Sequence, residues 1–413
     1  MAGIHVVGAG LAGLSAALAL TAAKHAVTLY EASPAAGGRC RSFFDRELGL
    51  TIDNGNHLLL SGNRAAFAYI NSIGATDKLG GPPSACFPFI DLGTGTRWTV
   101  RPNRGPLPWW ILRPARRVPR SRLSDYLALL SLMRLKGDTT VSEALRHGWL
   151  YWRLLEPLSV AALNTPARDG LARLLGAVMR ETLMQGGGAC IPRFPSDGLS
   201  GALIDPAIDT LRARGAEILF GRRIAALDIE DDRVVALRTP DGPVALAPGD
   251  AVVLAVPPWV AAALLPSLTV PDAFESILNI HFRIRANPGE AGLIGVVRGT
   301  AQWIFVKAGH VSVTISAANH FVDRDAAEIA AAVWPDVRLA LGLEGPMPAF
   351  RVVKERRATF AATAEQERRR PEQRTPLANL LLAGDWTATG LPATIEGAIR
   401  SGNATAKLLR WGH

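Results

Sequence analysis

The stretch IHVVGAGLAGLSAALAL, residues 4–20, constrains this chain more than any other. A short apolar strand runs straight into Gly8, Gly10 and Gly13, which open an alanine-rich helix. Gly8 permits the tight turn, Gly10 lets backbone approach a pyrophosphate, and Gly13 lets helix and strand pack closely. Free N–H groups at the helix head, around Leu11 and Ala12, suit an anion. The expected start is therefore the strand, turn and helix of a dinucleotide-binding α/β sheet. A second strand, AVTLY, leads into Glu31 and Ala32. Glu31 stands eighteen residues after Gly13, where an acid accepts hydrogen bonds from a ribose diol and disfavours a 2′-phosphate.

NAD and FAD both satisfy that much. The next segment, EASPAAGGRCRS, separates them. Gly37 and Gly38 let the chain wrap the cofactor a second time, and Arg39 can reach the pyrophosphate with its planar guanidinium. FAD is the expected cofactor. No cysteine occurs from Trp386 to Leu391, so covalent attachment there is not expected.

The 413 residues, 48% of them hydrophobic, suffice for two domains or one large one. The first strand begins almost at Met1, which leaves no room for a targeting peptide and leads us to expect a cytoplasmic protein. Cys40, Cys86 and Cys190 fall in no metal-ligand or redox spacing. They read as buried thiols, and no metal is expected. The most apolar stretch, Val244 to Leu265, is broken by Asp250 and by prolines, so no spanning helix is expected.

The formal charge of +9 is unevenly placed. From Arg101 to Arg122 there are seven arginines and no acid, around the apolar run Leu107, Trp109, Trp110, Ile111 and Leu112. Such a segment suits anionic lipid headgroups. It equally suits a solvated loop over a substrate domain. Nucleic acid is not expected, because basic and stacking aromatic residues do not interleave elsewhere.

The succession of strand, GAGLAGL, Glu31, GGR and then TIDNGNHLLL resembles the amine oxidase and phytoene desaturase superfamily of FAD proteins. The resemblance implies a Rossmann-type α/β FAD-binding domain, of the architecture shared with Rab GDP-dissociation inhibitors, with an inserted mixed α+β substrate domain. The implied FAD-binding segments are 1–75, 186–265 and 375–413, and the substrate domain is 76–185 and 266–374. It also implies that the chain returns at its end to close the flavin site. Gly384 and Asp385 match the Gly-Asp that contacts ribityl and pyrophosphate, and Pro392, Ala393, Thr394 and Ile395 begin a helix whose N–H groups point at the flavin ring. Ile224 falls where backbone meets adenine, and Asn54, Gly55, Asn56 and His57 lie near the ring.

The insertions carry LNTP, NIHF and QWIF, which resemble the hydroxysqualene dehydroxylases of bacterial hopanoid biosynthesis. Such an enzyme is implied to reduce hydroxysqualene to squalene, losing the hydroxyl as water while FADH2 becomes FAD. The chemistry asks for an acid, a positioned hydride donor and a water-excluding apolar tunnel. His281 alternates with Ile280 and Phe282, on the strand where amine oxidases place a lysine, and reads as proton donor or core histidine. His57 reads as catalytic or as cofactor packing. Asp53 reads as structural, Glu181 and Asp197 as surface acids, and Trp386 and Trp303 as tunnel walls or core.

Two other classes of function remain open at this stage. A polyprenoid desaturase or amine oxidase uses the same flavin site in the opposite redox direction, although no lysine lies in the strand of His281. A prenyl-lipid binder without flavin chemistry shares the architecture, although the intact GGR and GDW segments speak against it. No second glycine fingerprint is present for NAD(P)H, so the electron donor is left unassigned.

Overall fold

The computed structural model describes residues 3–132, 135 and 137–410. The opening residues form strand β1 (Gly3–Val7), helix α1 (Leu11–Ala22) and strand β2 (Ala26–Tyr30). β1 lies at the centre of a five-stranded sheet in which every pair is parallel. The order runs Glu217–Leu219, β2, β1, Ala251–Leu254 and Leu380–Leu382, so first and last strands of the chain share one sheet. Val6, Leu29, Val253 and Leu382 are fully buried, as expected of a parallel sheet covered on both faces.

The two ends of the chain also interlock as helices. α1 is buried almost all round and packs on the helix Ile395–Arg410. A Cβ at Gly402 would lie 2.2 Å from the Ala12 carbonyl oxygen, so only glycine permits this approach. Ser15 Oγ donates across the contact to the Ile399 carbonyl and to Asn403 Oδ1.

A second sheet of seven strands draws on two separate stretches, residues 87–100 and 274–360. Its pairs are antiparallel except for Leu293–Val297 beside Phe87–Asp91. Along Phe274–Phe282 the side chains alternate. Leu278, Ile280 and Phe282 join the core under the helix Ala326–Leu341, while Asn279 and His281 face the other way. That other side meets the loop after the strand Leu50–Asp53, which pairs with Ser42–Asp45 in a small sheet of its own.

The short helices of residues 123–181 complete a second core with Phe89, Trp303 and Phe305. Trp303 packs edge-on against Phe89, and Trp386 is buried with Nε1 donating to the Val256 carbonyl. Both tryptophans are core rather than tunnel walls. The three cysteines are buried and free. Among the described residues no helix is long and apolar enough to cross a membrane.

Candidate cofactor and active site

The glycines after β1 do different work. Gly8 has φ of +106°, and a Cβ there would lie 2.4 Å from the Ala255 carbonyl oxygen. At Gly13 a Cβ would fall 1.9 Å from the Gly8 carbonyl oxygen. A Cβ at Gly10 would meet nothing within 4 Å. Gly10 is the N-cap of α1, and no side chain caps that helix head. The first-turn N–H groups beside Leu11 and Ala12 are thus left without a capping side chain, with open space at Gly10, as a pyrophosphate requires.

The surrounding segments are stitched to this turn. The Ala9 N–H donates to Glu31 Oε2, and Glu31 Oε1 accepts from the Ser33 N–H and hydroxyl. The Gly37 N–H donates to the Ala9 carbonyl, and Gly38, at φ +55°, is exposed beside Gly10. Ala32 is exposed next to Glu31. The Arg222 N–H donates to the Glu31 carbonyl, which draws the segment holding buried Ile224 to the same edge. This donor set, an acid beside an uncapped helix head and a second glycine turn, fits a dinucleotide.

Arg39 lies across the site and holds Asp385: Nη2 donates to both carboxylate oxygens, at 2.7 and 2.8 Å, and Nη1 donates to the Ala358 carbonyl. The fork read as a pyrophosphate ligand thus also closes the two ends of the chain. Gly384 donates its N–H to Ser401 Oγ. Beyond Pro392 and Ala393 the final helix begins at Ile395, with Thr394 Oγ1 accepting from the Gly397 N–H at 3.0 Å. Thr394 thus satisfies one N–H of that helix head.

The residues after Asp53 meet the seven-stranded sheet through amides and hydroxyls. Asn279 Nδ2 donates to the Asn54 carbonyl, and Asn279 Oδ1 accepts from the Asn56 N–H and from Thr314 Oγ1. Asn56 Nδ2 donates to Ser312 Oγ at 2.7 Å and to Thr314 Oγ1 at 3.0 Å. Gly55 lies against both Asn279 and His57. His57 is half-buried, with Nε2 3.7 Å from Cys40 Sγ. Burial pushes its pKa down to about 4.

His281 has no exposed surface, and neither ring nitrogen has a hydrogen-bond partner among the described residues. Burial, reinforced by Lys307 and His310, pushes its pKa down to about 3. Protonating a hydroxyl calls for an imidazolium with access to substrate, and the geometry here describes a neutral, enclosed ring. Asp53 is structural as expected: it pairs with Lys307 Nζ at 2.7 Å and accepts from Ser42 Oγ and the Leu199 N–H. Glu181 is half-buried and pairs with Arg400, whereas Asp197 is exposed.

Sequence reasoning missed three residues. Asn279 sits two places before His281 and therefore on the same face, the one signal that pointed to it. Glu396 accepts from the Ala65 and Ala66 N–H groups. Arg370, the last of three successive arginines, has a fully buried side chain. It donates to the carbonyls of Asp385, Thr387 and Leu391, to Thr389 Oγ1 and to Glu367. Nothing in its own segment distinguishes it from Arg368 or Arg369.

A parallel sheet with this doubly wrapped turn defines an FAD-dependent oxidoreductase. The family model for flavin containing amine oxidoreductase matches residues 11–288 and 297–410. The chain is 47% identical to hydroxysqualene dehydroxylase from Zymomonas mobilis over 405 residues, covering 98% of each chain. The same identity and coverage hold for hydroxysqualene dehydroxylase from Rhodopseudomonas palustris. The chain belongs to the hydroxysqualene dehydroxylase family, among the flavin-containing amine oxidoreductases. More distantly, it is 21% identical to 15-cis-phytoene desaturase from Synechococcus elongatus, over 98% of this chain and 95% of that one. Among solved structures, cyclohexylamine oxidase from Brevibacterium oxydans aligns with a TM-score of 0.69 at 15% identity, covering 99% of this chain and 98% of that one, which establishes the fold.

Proposed function

We propose that this chain catalyses the reductive dehydroxylation of hydroxysqualene: the C–O bond breaks, the oxygen leaves as water, and hydride replaces it to give squalene. The observation that carries this reading is the 47% identity to hydroxysqualene dehydroxylases along essentially the whole chain. FAD, when bound and reduced, would supply the hydride, which carries both electrons, and its second hydrogen leaves as the proton that balances the departing hydroxide as water.

In this reading FAD is held without a covalent bond by Gly8, Gly10, Leu11, Ala12, Gly13, Glu31 and Ala32, by Gly37, Gly38 and Arg39, and by Ile224, Gly384 and Asp385. Pro392 to Ile395 and Asn54 to His57 border the ring. The FAD-binding domain comprises 1–75, 186–265 and 375–413, and the substrate domain 76–185 and 266–374. The origin of the strands in the two large sheets supports that division. Of the two histidines, His57 is half-buried where His281 is enclosed, and it orients the leaving hydroxyl. His281 is a neutral residue of the seven-stranded sheet.

The enzyme works on the cytoplasmic side of a membrane, with Arg101 to Arg122 turned to anionic lipid. The structure trims that segment: Trp110 is buried and Arg101 is paired with Glu290, whereas Leu107, Trp109 and Leu112 are exposed. The flavin is reduced by a separate donor.

The test is to photoreduce the holoprotein without oxygen, add hydroxysqualene, and follow flavin reoxidation while assaying squalene. Stoichiometric squalene with return of the oxidised flavin spectrum is expected. A flavin that stays reduced with substrate demonstrably bound overturns the reading and moves the question to polyprenoid desaturation by the oxidised enzyme.

A further inference from the structure

Eleven large hydrophobic side chains are exposed among the described residues, and eight of them fall between Leu107 and Trp152. Single exposed apolar residues are ordinary, but this concentration is not. Three belong to the arginine-rich segment. The other five, Leu123, Leu127, Leu130, Trp149 and Trp152, lie beyond it.

The helical stretch Leu123–Leu132 carries leucines on both sides, with Ser124 and Asp125 in its first turn. Tyr126, Leu129 and Leu132 are buried, while Leu123, Leu127 and Leu130 are exposed. A short helical stretch whose one side is already buried and whose other side still exposes three leucines calls for a partner over those leucines. The stretch is tied to the arginine-rich segment. Trp110 packs edge-on against Tyr126, at 5.5 Å between ring centres, and the Tyr126 hydroxyl accepts from the Val118 N–H. Trp149 is held from both sides of the joint, with the Arg120 guanidinium 4.9 Å and that of Arg153 4.5 Å from its ring centre. Arg153 is itself buried against Asp91 of the seven-stranded sheet. The apolar face therefore stands on a fixed base.

Charge says what covers it. Of the seven arginines from Arg101 to Arg122, Arg101 alone forms a salt bridge among the described residues. Arg113, Arg116, Arg120 and Arg122 are exposed. Leucines flanked by tryptophans and by unpaired arginines match acyl chains, interfacial zone and phosphates in turn.

We infer that Leu123 to Leu130, with Trp149 and Trp152, insert into one leaflet of an anionic bilayer while the neighbouring arginines hold the phosphates. The inference rests on the membrane reading above and adds to it an apolar insertion that electrostatic docking alone lacks. Insertion leaves binding that high salt weakens but does not abolish.

The test uses flavin-loaded protein and phosphatidylcholine vesicles with and without phosphatidylglycerol. L127S/L130S is compared with R113E/R116E, and retained flavin absorbance confirms that each is folded. Because the native cysteines are buried, L127C also accepts an environment-sensitive fluorophore selectively. Expected are salt-resistant residual binding by the wild type, affinity lower by about tenfold or more in L127S/L130S, and a blue shift of the fluorophore on vesicles. If L127S/L130S binds like wild type and the fluorophore does not shift, insertion is wrong while docking through arginine survives. If the wild type binds no vesicle, both readings fail. Should L127S/L130S then dissociate a self-associated wild type, the face is an interface between copies.

Discussion

Arg39 and Asp385 stand 346 positions apart and meet through a single nitrogen, Arg39 Nη2, which donates to both carboxylate oxygens. The contact ties the second glycine turn to the returning end of the chain, at the edge where the dinucleotide site lies. Asp385 is nearly buried whereas Arg39 is partly exposed, so solvent screens the pair on one side. We expect Asp385→Ala to cost about 1–2 kcal/mol of folding stability and to release FAD more readily. Flavin retained through gel filtration and a chemical unfolding curve measure the two effects; unchanged retention would remove this pair from cofactor binding.

The glycines allow a cleaner separation of folding from binding. Gly13→Ala places a methyl 1.9 Å from the Gly8 carbonyl oxygen, so strand and helix must part and stability should fall by several kcal/mol. Gly10→Ala meets no protein atom within 4 Å. It should unfold like the wild type without flavin, yet bind FAD at least about tenfold more weakly, because the methyl enters the space assigned to pyrophosphate. Equal FAD affinity in Gly10→Ala would place the cofactor elsewhere.

Three imidazoles held below their ordinary pKa predict a steep acid limb. In the unfolded chain each titrates near about 6.5. In the fold, burial brings His57 and His310 to about 4 and His281 to about 3. Between these values the unfolded chain binds more protons, so their contribution is complete above about pH 6.5 and is lost as pH falls towards the folded values. Asp53, whose burial is outweighed by Lys307, lies below its ordinary value and adds its own loss at still lower pH. Urea unfolding across this range should show the slope, and His281→Leu should flatten it without loss at neutral pH, since neither ring nitrogen has a partner.

The same two histidines separate by activity. His57→Ala should keep flavin bound and slow single-turnover reoxidation by on the order of 10²-fold. His281→Ala should change that rate by less than about tenfold, its effect falling on stability. The reverse order would move the positioning of the hydroxyl from His57 to His281.

Arg370 should behave as the clamp of residues 385–391. The guanidinium's bonds to five partners are lost in Arg370→Ala, which leaves Glu367 with Arg173 alone, so about 3 kcal/mol or more of stability should disappear. Lysine lacks the planar fork and should rescue little of it. Full stability in Arg370→Lys, measured without flavin, would mean that charge alone suffices.

What the amino-acid order determined by itself is local. Gly13 and Gly37 are legible because contacts within a few residues forbid a Cβ, and Gly8 because the turn takes its φ to +106°, whatever the rest of the chain does. Glu31 is legible from its distance along a strand that periodicity already marks, and the returning Gly384–Asp385 from its likeness to other chains. Tertiary structure alone decided the rest. It put Asn279, rather than His281, against the loop of Asn54 to Asn56, because the register of two sheets decides which member of an alternating face meets a neighbour. It buried Trp110 and exposed Trp109, which composition treats alike. It chose Arg370 from three adjacent arginines, since only the packing of a distant loop makes one guanidinium worth burying. Steric rules act between neighbours in sequence, whereas burial and charge pairing depend on surfaces that exist only once the chain has closed on itself.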